Sequence, residues 1–177
     1  MPNNILYFAG CTTRARYSED IENHIDLLRK LGFNPKVLED ERCCGDPLIL
    51  AGDEDNAKKV AKKNAQTFTS AKVDLVATEC AGCYRVLALE YPAYGLKMPK
   101  VKHMSQLIAE NIDKLKFKDD AEKDKVAYHD PCELGRLGGE YDAPRKVLGR
   151  VAELVEPQAT KVESRCCGAG GAMFAVE

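Results

Sequence analysis

All eight cysteines of the chain fall into one pattern, written in full once and in part a second time. The full copy is Cys11, then Cys43-Cys44-Gly45, then Cys80-Ala81-Gly82-Cys83. The partial copy is Cys132 followed by Cys166-Cys167-Gly168. The spacer from the single cysteine to the pair is 31 residues in the first copy and 33 in the second. A doubled Cys-Cys-Gly at a matched distance marks a protein organised around thiolates. In such numbers, thiolates hold metal, exchange electrons or do both.

Disulfides are the competing use of so many cysteines, and they belong mainly to secreted chains. The N-terminal run Met1 to Gly10 has no basic region, and its apolar stretch is too short for a signal peptide. Adjacent cysteines also bridge poorly, because a disulfide wants its Cα atoms farther apart than one trans peptide allows. A reduced, cytoplasmic protein with a metal is therefore expected. At 177 residues, 45% hydrophobic and 31% charged, the chain can form one good core, or one domain and part of another. A net charge of −2 leaves no basic footprint for nucleic acid. No apolar run reaches the length of a membrane span, so any membrane association is expected through a partner subunit.

The elements that must position the cysteines follow from periodicity. Strands are expected at Asn4–Ala9, Pro35–Leu38, Val73–Thr78, Val126–His129 and Glu153–Glu156. Glu19–Leu31 reads as a helix burying Ile21, Ile25, Leu28 and Leu31, with Gly32 as its stop. Asp53–Thr69 reads as a helix burying Ala57, Val60, Ala61, Asn64 and Phe68. A short helix is expected from Cys83 to Glu90, stopped by Tyr91-Pro92, and another around Met104, Leu107, Ile108, Ile112 and Leu115. Eight of the ten residues from Lys116 to Lys125 are charged, which reads as a solvated connector. The pattern then restarts, with a Gly-rich turn at Gly135–Gly139 and a helix opening near Ala143-Pro144. Alternating strand and helix favour an α/β fold with a largely parallel sheet flanked by helices. The division expected is a first domain over 1–118 and a partial second one over 119–177.

Cys11, Cys80 and Cys132 each follow an expected strand, and each Cys-Cys pair lies in the loop after one. The carboxyl ends of parallel strands line a common crevice, so Cys11, Cys43, Cys44, Cys80 and Cys83 should converge there. Cys80-x-x-Cys83 should also stand at a helix N-terminus, whose dipole favours thiolate. A structural zinc takes four ligands in a closed tetrahedron, whereas the first set offers five, two of them adjacent. A cluster of several irons spreads its ligand directions and can use both. Zinc remains the substitute expected in a preparation made in air. Arg14, Arg16 and Arg42 flank the first set, and Arg136 and Arg165 the second. They could stabilise an anionic cluster or orient an anionic substrate, or be ordinary surface residues.

These residues carry a family resemblance over nearly the whole chain. The series Gly10-Cys11-Thr12, Cys43-Cys44-Gly45-Asp46-Pro47 and Cys80-Ala81-Gly82-Cys83 resembles the CCG cysteine-rich domain of heterodisulfide reductase catalytic subunits. Tyr128-His129-Asp130-Pro131-Cys132, Tyr141-Asp142-Ala143-Pro144-Arg145 and Cys166-Cys167-Gly168-Ala169-Gly170-Gly171 are similar to the same family, closest to its HdrD and DsrK type. The resemblance implies that Cys11, Cys43, Cys44, Cys80 and Cys83 hold one complete non-cubane [4Fe-4S] cluster, which reduces a disulfide or passes electrons to one. Alternatively, it implies an electron-transfer subunit of a lactate, glycolate or glycerol-3-phosphate dehydrogenase complex, with no substrate of its own. A substrate crevice with an exchangeable iron position separates the two. Electrons are expected from a partner with a ferredoxin-like or flavin centre.

The second copy departs from the family pattern. Shifting Cys80 by the repeat offset puts the missing Cys-x-x-Cys near position 202, while the sequence runs to Glu177. The expectation is a fragment, a degenerate site or completion by another chain. Cys132, Cys166 and Cys167 should then form a three-thiolate patch of candidate metal ligands near the first site, too few for the family's cluster and so empty, holding an adventitious ion such as zinc, or oxidised, with the loop after Gly168 mobile. His129 has two readings. It is a proton donor to a leaving thiolate or a ligand of the second site, or else a strand-end imidazole that fixes the His-Asp-Pro turn. His24 and His103 are given no chemistry.

Overall fold

The computed structural model describes residues 4–117, 123–168 and 170. The expectation about the loop after Gly168 falls largely outside them. Strands β1 (Asn4–Tyr7), β2 (Asn34–Val37), β3 (Leu75–Thr78) and β4 (Lys100–His103) form one sheet in the order β2-β1-β3-β4, with every pairing parallel. β5 (Lys125–Ala127) and β6 (Glu153–Val155) form a second, two-stranded parallel sheet. The α/β reading therefore holds. β4 was not anticipated: Lys100-Val101-Lys102-His103 carries little apolar signal because it pairs on one side only, at the sheet edge.

Burial on both faces explains the central strands. Ile5 and Tyr7 enter one core, with Leu75 and Ala77, under α2 (Ser18–Lys30) and α7 (Met104–Glu110). Leu6, Phe8 and Val76 enter the other, under α4 (Glu54–Ser70) and the segment from Val86 to Tyr91. Successive strand residues point to opposite faces, so a strand covered on both sides reads as a continuous apolar run. Each such side chain, once fully buried, contributes about 1.5–3 kcal/mol. Cys44 and Cys83 belong to the second core, which roots the cysteine motif in the interior of the molecule.

Local chemistry sets the helix boundaries. Asp53 caps α4 by accepting from the Asn56 amide at 3.3 Å. His103 and Gln106 form a reciprocal cap at the start of α7. Two short helices carry no signal in the sequence: α1 (Cys11–Arg16) and α3 (Asp46–Leu50). Neither holds a buried residue, so neither has an apolar stripe to detect.

Two expectations need correction. The helix of the Cys-x-x-Cys motif opens at Ala81 as α5 (Ala81–Arg85) and does not stop at Tyr91-Pro92. It widens into a π turn over Val86–Glu90 and continues as α6 (Tyr91–Ala93). The wide turn interrupts the regular ladder just before Pro92, where a residue without an N–H costs least. The glycines 135–139 do not make an open turn: Glu133–Leu137 is a second π turn, ahead of α8 (Asp142–Val151). A Cβ at Gly135 would stand 2.6 Å from the Tyr141 ring, so the glycine lets that ring pack down.

Candidate metal centre

The loops after β1, β2 and β3 leave the same carboxyl edge of the sheet. Strand order reverses between β1 and β3, and there the chain opens a crevice. Cys11, Cys43, Cys44, Cys80 and Cys83 all line one cavity of about 190 Å3 in it, together with Thr12, Asp46, Pro47, Leu50 and Gly170. Five cysteines spread over 73 positions of sequence thus meet, and Gly170 brings the second Cys-Cys-Gly segment to the same cavity. They do not close on a single point. Among the described residues, no three Cys, His, Asp or Glu side chains form a group that could hold one metal ion.

Each cysteine is positioned by its own device. Gly10 takes φ +81°, and a Cβ there would lie 3.2 Å from the Cys83 sulfur. Only glycine meets both conditions. The Glu41 carboxylate accepts the Ala9 and Gly10 amides at 3.0 and 2.7 Å, fixing the approach to Cys11. The Cys80 sulfur is the N-cap of α5 and accepts the Cys83 amide at 3.4 Å. This is the expected helix N-terminus, with the helix opening at Ala81, two residues earlier than the sequence suggests. Cys83 donates to Cys44 across 3.3 Å.

These contacts set proton affinities. Hydrogen bonds from Cys43 and Cys83 push the Cys44 thiol down, against its burial. Cys43 and Cys83 are pushed up, first by serving as donors to Cys44 and then by burial. The Cys83 hydrogen bond also lowers Cys80. Cys44 is thus the acceptor among the inner sulfurs, with Cys83 as its donor at 3.3 Å.

The flanking arginines divide. Arg14 donates to the carbonyls of Leu38 and Glu39 at 3.0 and 2.8 Å, tying α1 to the loop after β2. Arg136 reaches the Cys132 sulfur at 3.7 Å and the carbonyls of Val162 and Ser164. Arg16, Arg42 and Arg165 are exposed, and among the described residues no arginine lines the cysteine cavity. A buried cation beside the cavity, paired with its lining residue Asp46, is one that the sequence does not single out. Arg85, 5% exposed, pairs with Asp46 beyond the first Cys-Cys-Gly, with Glu90, and with Glu133 beside Cys132. It joins the two motifs. Burial, and then Glu133 alongside, push the Asp46 carboxyl up despite that guanidinium.

The second set is partly gathered. Cys132 and Cys166 are within hydrogen-bonding reach. Cys166 is held down mainly by the Gly168 amide at 3.4 Å. Cys166 and Cys167 are exposed. His129 is exposed, and its Nε2 meets the Arg165 carbonyl at 2.8 Å, so the imidazole steadies the residue before Cys166. Beneath it, Arg145 grips Asp130 with two bonds of 2.6 and 2.7 Å and lies over the Tyr128 ring. His103 has a part that its spacing did not reveal: its Nε2 meets the Glu79 carbonyl at 2.8 Å, the peptide that leads into Cys80.

A parallel α/β sheet with a five-cysteine crevice at its carboxyl edge, followed by a partial repeat, defines a class. Residues 5–88 and 126–176 match the cysteine-rich CCG domain, and the chain belongs to that family. It is 38% identical over 181 residues to one of the subunits of the dihydromethanophenazine:CoB–CoM heterodisulfide reductase of Methanosarcina acetivorans, covering 97% of this chain and 44% of that protein. It is 33% identical to one of the subunits of the CoM/CoB fumarate reductase of Methanothermobacter marburgensis, over 96% of this chain and 33% of the relative. It is 33% identical to the EtfAB:quinone oxidoreductase of Syntrophomonas wolfei, over 97% of this chain and 25% of the relative. The chain thus spans less than half the length of these relatives. Among the described residues, no helix is long and apolar enough to cross a membrane.

Proposed function

We propose that this chain is an iron–sulfur redox subunit of the heterodisulfide reductase type, with a non-cubane [4Fe-4S] cluster in the five-cysteine cavity. The observation that carries the reading is the meeting of Cys11, Cys43, Cys44, Cys80 and Cys83 around one cavity. Their chemistry fits: five sulfurs set apart around a crevice suit several irons, where one zinc would need four drawn to a point. When bound, the cluster supplies single electrons to a sulfur of the substrate.

The overall chemistry is reduction of a disulfide by two electrons and two protons to two thiols. The chain's own residues provide the five sulfurs that would hold the cluster and a cavity with a mouth at exposed Cys11 and Leu50 through which a sulfur can enter. That open mouth favours a substrate-binding role over electron transfer alone. His129 serves the second motif as a positioning residue, since its Nε2 is committed to Arg165. Residues 1–118 act as the cluster domain and 119–177 as part of a second. Electrons come from a partner subunit with a ferredoxin-like or flavin centre, and zinc occupies the thiolates in protein prepared in air.

Iron and acid-labile sulfide analysis of anaerobically prepared protein, with EPR, tests the reading. About four irons per chain are expected, as one [4Fe-4S] cluster requires. Protein that binds zinc alone, or no metal, under those conditions overturns it. About eight irons, two such clusters, would show that the second set needs no further Cys-x-x-Cys.

A further inference from the structure

Asn64 is a polar residue on the apolar face of α4, 4% exposed among Ala57, Ala61, Ala65 and Phe68. Tyr91, fully buried, opens α6 just after the π turn. The Asn64 Nδ2 donates to the Cys43 carbonyl at 3.0 Å and to the Tyr91 hydroxyl at 2.9 Å. The Tyr91 hydroxyl in turn donates to the Cys44 carbonyl at 2.8 Å. Two buried side chains thus hold two consecutive carbonyls, those of the adjacent cysteines.

We propose that Asn64 and Tyr91 are positioning residues of the cysteine centre, which anchor the Cys43 and Cys44 carbonyls in the core so that the following amide N–H groups turn toward the sulfurs. Peptide planarity couples each carbonyl to the next amide. In a trans peptide, C=O and N–H point in opposite directions. Fixing the Cys43 carbonyl fixes the Cys44 amide, and fixing the Cys44 carbonyl fixes the Gly45 amide. The Gly45 amide does donate to the Cys43 sulfur, at 3.4 Å. The Asp46 amide also draws the Cys44 thiol down. The backbone after the cysteine pair thus turns an N–H toward the sulfurs, an arrangement that favours anions. Gly45, at φ +91°, makes the reversal that this requires.

The π turn contributes to the same end. One extra residue in a turn rotates everything after it by about 100° relative to an unbroken α-helix. The rotation falls directly before Tyr91, whose hydroxyl then meets the cysteine pair. Hydrogen bonds to the sulfurs of an iron–sulfur cluster raise its reduction potential, so the buried pair would act on the cluster through the backbone between them.

This inference rests on the cluster reading above, and its test keeps the two apart. Tyr91→Phe removes only a hydroxyl, and Asn64→Leu replaces the carboxamide, donor and acceptor together, by an apolar side chain of similar size. Each is loaded anaerobically with iron and sulfide beside the unchanged protein, and its EPR spectrum and midpoint potential are measured. A more negative potential and displaced EPR lines are expected in both. The parent potential and spectrum in either overturns the proposal. If the unchanged protein takes up no cluster, the cluster reading fails instead. The positioning role is then judged on cluster-free protein by the amide resonances of Cys44, Gly45 and Asp46: displaced in Tyr91→Phe if it holds, unmoved if it does not. Fluorotyrosine placed at position 91 alters only the donor strength of the hydroxyl. It gives the same decision should both variants fail to fold.

Discussion

The two cysteine motifs share a signature and stand in different surroundings. Cys44 and Cys83 lie in a core beneath a four-stranded sheet, whereas Cys166 and Cys167 are exposed beside two strands. β5 and β6 correspond to β1 and β2, since each pair brackets a single cysteine and leads into a Cys-Cys-Gly. In the first copy the other edge of β1 is taken by β3, which delivers Cys80 and α5. Among the described residues, β5 pairs with β6 alone. The difference teaches that the Cys-Cys-Gly string does not bury itself. The neighbouring strand and its Cys-x-x-Cys helix are what enclose it.

The sharpest break in this comparison is Cys83→Ser. Cys83 lies in the core and touches Cys44, so the variant should lose nearly all bound iron and its EPR signal. Retention of full iron would remove Cys83 from the ligand set. Next in size is Arg85→Met, which leaves Asp46, Glu90 and Glu133 without their cation at the junction of the motifs. Removing one partner of a buried ion group costs about 3–5 kcal/mol. Urea unfolding should show a loss of that size, and an unchanged midpoint would mean that Arg85 does not join the halves.

A smaller effect is confined to the second half. The Arg145 hydrogen bonds hold the Asp130 carboxyl down to about 2. A carboxyl lowered on folding stabilises the protein above its ordinary value near 4, and that contribution is lost as pH falls toward 2. Asp130→Asn should lower stability at neutral pH and flatten the pH dependence between about 4 and 2. Tyrosine fluorescence during acid titration reads this out; parallel curves for parent and variant would contradict it. The smallest effect expected is that of Cys166→Ser. Iron content and EPR should match the parent, because the first cavity contains no second-set sulfur. A loss of iron would tie the motifs together at the metal.

Much of this was legible before the structure. Central strands, covered on both faces, announced themselves as apolar runs, and α2 and α4 by their stripes. The edge strand β4 and the helices α1 and α3 were not legible, because nothing in them is continuously buried. The five cysteines could be grouped from their strand-end positions. Arg85, Asn64 and Tyr91 could not be tied to them, since each acts on residues 21 to 48 positions away.

Spacing and hydrophobic period are local quantities, and they are enough to show the cysteine pattern, its repeat and the kind of sheet that gathers it. Only the tertiary structure decided which cation the site receives. Arg14 bonds backbone carbonyls, Arg16, Arg42 and Arg165 stand in solvent, and Arg136 serves the second motif, while Arg85 arrives beside the first from α5. It also decided how the Cys43-Cys44 backbone is turned, through two buried side chains from other elements. A charge or a hydrogen-bond donor acts across a few ångströms of space, and which residues share those ångströms is fixed only when the chain has packed.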